Sequence, residues 1–339
     1  MQPQGEIWQL PPFCTVRWGC SIVPLLCYLK PLHMKHLLIV TALLFSALTS
    51  CTKDNSPVEK AYRYNGVMKI DERNRTYLLN LPPAYYDNDT THFPLVVGIH
   101  GTGGSAAQFE RDYHFTDKAN ASGFIALYPD GIPSHGPLGV RTWNAGACCG
   151  PALDEQVDDV TFIRTLIDKI QTDFKVDPKR IYIAGMSNGA MLTYRLACEL
   201  SDKIAAVAAV SGPLLTVQPC QPVRPVPILH IHSALDAKVP YLGGVGMGGY
   251  YFPPADSGLQ VWAGYNACTT KQLLTDNGKY KLTQWSGCKN EVLMQLYVTA
   301  DGGHSWPGGD KPREKADPPS TAINANDVIW DFFRQYTLP

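Results

Sequence analysis

Two segments, Tyr62–Ile70 and Arg75–Leu81, alternate apolar and polar side chains around the polar turn DERN, and this pattern predicts an antiparallel hairpin. Further on, PLVVGIH (Pro94–His100) and FIALY (Phe124–Tyr128) are unbroken apolar runs, as expected of strands covered on both faces, with a stretch of helical length between them. Val157, Val160, Ile163, Ile167, Ile170 and Phe174 recur three or four positions apart. They predict an amphipathic helix that ends before the turn VDPKR. A strand Ile181–Ala184, a glycine-bounded turn and a helix near Ala190–Leu200 follow. Buried strands then come at Ile204–Val210 and Pro227–His232, an alternating strand at Val292–Val298 and a last helix at Ala322–Tyr336. Such alternation predicts an α/β fold: a mostly parallel sheet with helices on both faces, the hairpin at one edge, and ligands bound at the carboxyl ends of the strands.

The N-terminal part reads differently. From Met34 the chain runs MKHLLIVTALLFSALTSC, with a basic start at Lys35, an apolar stretch Leu37–Leu48, then small residues and Cys51. That stretch falls short of the ~20 residues that span a bilayer and fits a signal-peptide core. The ending LTSC resembles a bacterial lipoprotein signal, in which the cysteine is lipidated and polar TKDNSP serves as a tether. Residues 1–33 read as neither signal nor domain, and Met34 is the better start. The expected organisation is a non-native extension (1–33), a signal peptide (34–51), a tether (52–60) and one catalytic domain (61–339). The protein is then exported, periplasmic or extracellular, and meets a membrane only through lipid on Cys51.

Acidic and basic residues nearly balance, with a formal charge of −1 and no basic cluster, so nucleic acid is not an expected partner. Beyond Cys51 the cysteines are Cys148, Cys149, Cys198, Cys220, Cys268 and Cys288, an even set that indicates disulfides in an exported chain. Connectivity is not legible from spacing. No pair has CxxC spacing and no histidine lies at ligand distance in sequence, so no metal is expected.

The chemistry concentrates in three motifs. IYIAGMSNGA (Ile181–Ala190) places GxSxG, with Ser187 at its centre, directly between a buried strand and a helix. This is the nucleophile-elbow setting, a strained turn that lifts the hydroxyl above the sheet edge. A serine hydroxyl is a weak nucleophile and needs a histidine base oriented by a carboxylate, here in the chain order Ser, Asp, His. Asp236, just past the strand ending at His232, and His304, in the glycine-rich DGGHSWPGG, supply that order. An aspartate in a loop also commonly closes a local turn. His100, His230 and His232 sit at strand ends and are expected to be structural. HGTGGS (His100–Ser105) follows an early strand and lacks the Walker lysine and the GxGxxG spacing of a phosphate loop. Its Thr102 N–H and the Asn188 N–H are the expected oxyanion donors.

The set HGTGGS, RTWNAGACCG, DDVTFIRTLID, GMSNGAML, RLACEL, PVPILHIHSALDAKVPYLGG and DGGHSWPG resembles the esterase family holding polyhydroxybutyrate depolymerase-like proteins and feruloyl esterases, from about Gly66 to Phe333. The resemblance implies an α/β-hydrolase fold, cleavage of carboxylic esters, and catalytic positions at Ser187, Asp236 and His304. It implies no metal or organic cofactor. Relatives often read HGTADP where this chain has HSALDA, a changed turn before a retained aspartate. Trp143 and Trp306, beside family motifs, are expected as aromatic substrate walls. Cys198 with Cys220 and Cys268 with Cys288 are the expected bridges. Gly243–Ser257, rich in glycine and aromatics, reads as a loop near the site. Feruloyl or acetyl esters of plant polysaccharide are the expected substrates, ahead of polyhydroxyalkanoate. A peptidase would be expected to carry a propeller or large cap, and a non-catalytic binding protein to have lost a member of the triad.

Overall fold

The computed structural model describes residues 60–215 and 220–339; the expected extension, signal, Cys51 and all of the tether but Lys60 lie outside them. The central sheet is built from β1 (Arg63–Ile70), β2 (Arg73–Asn80), β3 (Phe93–Ile99), β4 (Ile125–Pro129), β5 (Val176–Met186), β6 (Ala206–Val210) and β7 (Ile228–Ser233). It is completed by β8 (Thr270–Asp276), β9 (Tyr280–Ser286) and β10 (Met294–Thr299). The strands lie in the order β1-β2-β4-β3-β5-β6-β7-β10-β9-β8. The five pairings from β4 through β10 are parallel, and antiparallel hairpins close both edges. This is the α/β-hydrolase class of fold.

The apolar runs behave as two-faced strands. Leu95, Val97 and Ile99 of β3 enter one core while Val96 enters the other, and Ile181 and Ile183 of β5 part from Tyr182 and Ala184 in the same way. The first core is covered by α4 (Asp159–Asp173), α5 (Asn188–Glu199) and α6 (Ala255–Tyr265). The second is covered by α1 (Ala106–Asp112), α2 (Phe115–Ser122) and α7 (Ala325–Phe333). The remaining α3 (Gly150–Asp154) is a single turn near the site.

Several boundaries differ from expectation. VDPKR is not a free turn: β5 already starts at Val176, and between the pairs Phe93↔Val176 and Leu95↔Ile181 the chain bulges. Asp177 closes that bulge by accepting the Lys179 N–H at 2.9 Å. The last helix is shorter than Ala322–Tyr336 because the Asn324 side chain caps its start at Ala325. The edge hairpin β8–β9 was not foreseen, since Thr270–Thr275 is almost wholly exposed and shows no core-facing alternation. The Gly243–Ser257 segment forms a short ladder, Gly244–Val245 with Tyr251–Phe252, and then opens α6.

Candidate active site

Ser187 stands between the end of β5 and the start of α5 with φ 58° and ψ −122°, a left-handed conformation rare for a residue with a Cβ. The glycines on either side make this possible. A Cβ on Gly189 would lie 2.3 Å from the Ile99 carbonyl oxygen, and one on Gly185 would lie 2.3 Å from that of Gly189. Helix and strand therefore approach more closely than any side chain permits.

Asp236 follows β7 in a turn and its two oxygens divide the work. Oδ1 accepts the backbone N–H groups of Lys238 (2.9 Å) and Val239 (2.8 Å), while Oδ2 lies 2.7 Å from His304 Nδ1. Turn closure and the facing of a histidine, rival readings in sequence, coexist in one carboxylate. Burial pushes this carboxyl up, but hydrogen bonds from His232 and His304 outweigh it and hold Asp236 well below the usual carboxylate range. His304 Nε2 lies 2.8 Å from Ser187 Oγ. With Nδ1–H donated to a carboxylate, Nε2 carries the lone pair that the serine hydroxyl meets. Ser187, Asp236 and His304 thus form one hydrogen-bonded relay across 117 residues of chain.

The Thr102 peptide is oriented from behind. The Gly101 carbonyl accepts from His100 Nδ1 (2.7 Å) and from the Gly104 N–H (3.0 Å), and in a trans peptide the Thr102 N–H points the opposite way. His100 Nε2 in turn accepts the Gly131 N–H at 3.0 Å, and burial lowers its pKa to about 4, so the ring stays neutral with one tautomer. Asn188 is the first residue of α5, where backbone N–H groups have no acceptor within the helix. Thr102 and Asn188 line the same cavity as Ser187.

That cavity measures about 210 Å³, and its walls are largely apolar: Cys149, Met191, Val239, Met247, Tyr250 and Phe252. Trp143 and Trp306, expected as substrate walls, are not among them. Trp143 is 0 % exposed, its indole donating to the His100 carbonyl at 2.9 Å. Trp306 is 1 % exposed, stacked on Tyr113 and bonded to Asn326 Oδ1 at 2.8 Å. Each indole finds its polar partner inside the protein and is used up in packing. The wall comes instead from the Gly243–Ser257 segment and α5.

Asp317 and the side-chain roles of Asn188 and His232 escaped the sequence reading. The Asn188 side chain accepts the Trp143 N–H and donates to the Trp143 carbonyl. Asp317 Oδ2 accepts the His304 N–H at 2.8 Å while its Oδ1 pairs with Lys238 Nζ at 3.1 Å, tying the histidine loop to the aspartate loop. His232, read as structural, lies 3.4 Å from Asp236 Oδ2. Their signal in sequence is only nearness to the motifs. Beneath Trp143, the buried pair Arg75–Asp159 (2.7 Å) holds the Asn144 N–H at 2.8 Å. Among the described residues the disulfides are Cys198–Cys220, Cys268–Cys288 and the adjacent Cys148–Cys149.

A family model described as "Esterase PHB depolymerase" matches residues 75–219. Feruloyl esterase B of Piromyces equi is 32% identical over 254 residues, 73% of this chain and 42% of that protein. The chain therefore spans less than half the length of this curated relative. A probable feruloyl esterase C of Aspergillus niger is 27% identical over 311 residues, covering 88% of this chain and 98% of its own. Among solved structures, the acetyl xylan esterase from Aspergillus awamori superposes with a TM-score of 0.57 at 15% identity, over 81% of this chain and 99% of that one, a likeness of fold.

Proposed function

Because the chain belongs to the esterase family of polyhydroxybutyrate depolymerase-like proteins and feruloyl esterases in the α/β-hydrolase superfamily, we propose that it is a serine carboxylesterase acting on feruloyl or acetyl esters of plant cell-wall polysaccharide. The observation that carries this reading is the relay from Asp236 through His304 to Ser187 at the mouth of an apolar cavity. His304 Nε2 takes the Ser187 proton as Oγ attacks the ester carbonyl, and the Thr102 and Asn188 N–H groups receive the oxyanion. Each such donor is worth roughly 3–4 kcal/mol of barrier where one has been removed. His304 then protonates the leaving alcohol, and water hydrolyses the acyl-enzyme by the same route. No cofactor takes part in these steps.

The substrate class rests on the names of the relatives and on the cavity, whose apolar walls suit a planar aromatic acyl group. A polyester substrate is the second reading, favoured by the family description. The reading includes export through the signal segment, cleaved before Cys51, with lipid on Cys51 as the anchor, residues 52–60 as the tether and residues 61–339 as the catalytic domain. Hydrolysis of methyl ferulate, acetylated xylan and hydroxybutyrate oligomers by residues 52–339 tests the choice. Release of ferulate or acetate supports the first reading, turnover of the oligomers alone the second, and no turnover of any of the three contradicts both.

A further inference from the structure

Behind the relay runs a second, wholly buried line of polar groups that the mechanism above does not use. Tyr194 Oη on α5 lies 2.7 Å from His230 Nδ1, and His230 Nε2 lies 3.0 Å from His232 Nδ1. His232 Nε2 then lies 2.8 Å from the Val239 carbonyl and 3.4 Å from Asp236 Oδ2. The two rings and the phenol are at most 1 % exposed. The great majority of buried polar groups in folded proteins have a partner, and here they join end to end.

The direction of every bond follows from its far end. A carbonyl and a carboxylate accept, so His232 Nε2 carries a hydrogen and, in the uncharged ring, Nδ1 is the acceptor. His230 Nε2 is therefore the donor to it, leaving His230 Nδ1 to accept the Tyr194 hydroxyl. Burial supports this single arrangement: it raises the Tyr194 phenol far above its usual range, and it lowers His230 well below its own, helped by the neighbouring His232. The ionisable side chains facing the line are Asp236 and His304 at its head, and Tyr241, whose ring centre is 5.7 Å from that of His232.

We infer that His232 is a positioning residue for the relay: the line Tyr194–His230–His232 holds one tautomer of His232, so that the N–H it donates to the Val239 carbonyl also stands 3.4 Å from Asp236 Oδ2, the oxygen that faces His304. The inference rests on the reading of Ser187, Asp236 and His304 as the triad. Asp236 Oδ2 then faces two imidazole N–H groups, that of His304 at 2.7 Å and that of His232 at 3.4 Å. Removing one leaves the charge more concentrated on His304, which favours the imidazolium and moves the acid limb of activity to higher pH.

The test compares His232→Leu, His232→Gln and Tyr194→Phe with the parent enzyme and Ser187→Ala, on methyl ferulate and a chromogenic acetate. Rates are normalised to the fraction of Ser187 labelled by a fluorophosphonate. His232→Leu is expected to lose roughly 10- to 100-fold in kcat with KM within about twofold, the worth of a hydrogen bond to a charged group. Its acid limb of kcat/KM moves up by roughly half a unit or more. His232→Gln, which still donates, keeps the parent limb, and Tyr194→Phe moves it in the same direction by less. An unmoved limb with near-parent kcat in His232→Leu, or equal damage in His232→Gln, overturns the proposal. If His232→Leu yields no labelled protein, an unmoved limb in Tyr194→Phe does so. Activity retained by Ser187→Ala instead sinks the triad itself, whatever the His232 variants do.

Discussion

Asn188 grips the backbone of Trp143 at both ends, its Oδ1 accepting the Trp143 N–H at 2.8 Å and its Nδ2 donating to the Trp143 carbonyl at 3.0 Å. The residue after Ser187 thereby fixes the loop that carries Cys149 to the cavity wall. Asn188→Ala leaves the backbone N–H in place and removes only this grip. The expected result is a loss of about 2 kcal/mol in denaturant unfolding, since two buried backbone groups lose their partners, with a kcat reduced roughly tenfold.

The buried pair Arg75–Asp159 supports the same loop from below. Burial raises the Asp159 carboxyl against the pull of Arg75, and Arg75 Nε makes no hydrogen bond of its own. Asp159→Ala leaves the guanidinium buried and uncompensated, and is expected to cost about 3–5 kcal/mol in equilibrium unfolding. A loss below 1 kcal/mol would show that the loop does not depend on the pair.

Much of this arrangement was legible in the chain, and the reasons differ by element. The strands β3, β4, β6 and β7 announce themselves because both faces are buried, and Ser187, Asp236 and His304 because each lies just past a strand at the sheet's carboxyl edge. The hairpin β8–β9 is silent since the side chains of β8 face solvent. Trp143 and Trp306 mislead because an aromatic beside a motif can turn into the core or toward the site, and only the position of an indole partner decides. His232 was set aside as a strand-end histidine, because nothing in HSALDA shows that its ring reaches round to Asp236.

Asp236 also predicts a pH dependence. Its folded-state pKa is held below the unfolded value of about 3.9, so its contribution to stability is complete above that value and is lost as pH falls through the lower folded value. Asp236→Asn should be less stable than the parent near neutrality, with the difference shrinking as pH drops below about 4. Its kcat should fall by about three to four orders of magnitude, because the amide no longer selects the tautomer of His304 that accepts from Ser187.

The bridge Cys268–Cys288 spans 20 residues and closes the hairpin β8–β9 onto the end of α6. Cys268→Ser with Cys288→Ser is expected to lower stability by roughly 3 kcal/mol, read as a fall in Tm, while leaving kcat within about twofold because the hairpin is remote from the cavity.

Phe252, 2 % exposed, forms the inner face of the short ladder beside the cavity. Phe252→Ala should raise KM for methyl ferulate by roughly tenfold while changing that for a chromogenic acetate by less than about twofold, as only the larger acyl group reaches the wall.

The most direct test of the central claim is to treat the intact protein with a fluorophosphonate and map the adduct by mass spectrometry alongside methyl ferulate hydrolysis. One adduct on Ser187, matched by loss of activity and absent from Ser187→Ala and His304→Ala, is the predicted result. An adduct on another residue, or hydrolysis undiminished in Ser187→Ala, would contradict it.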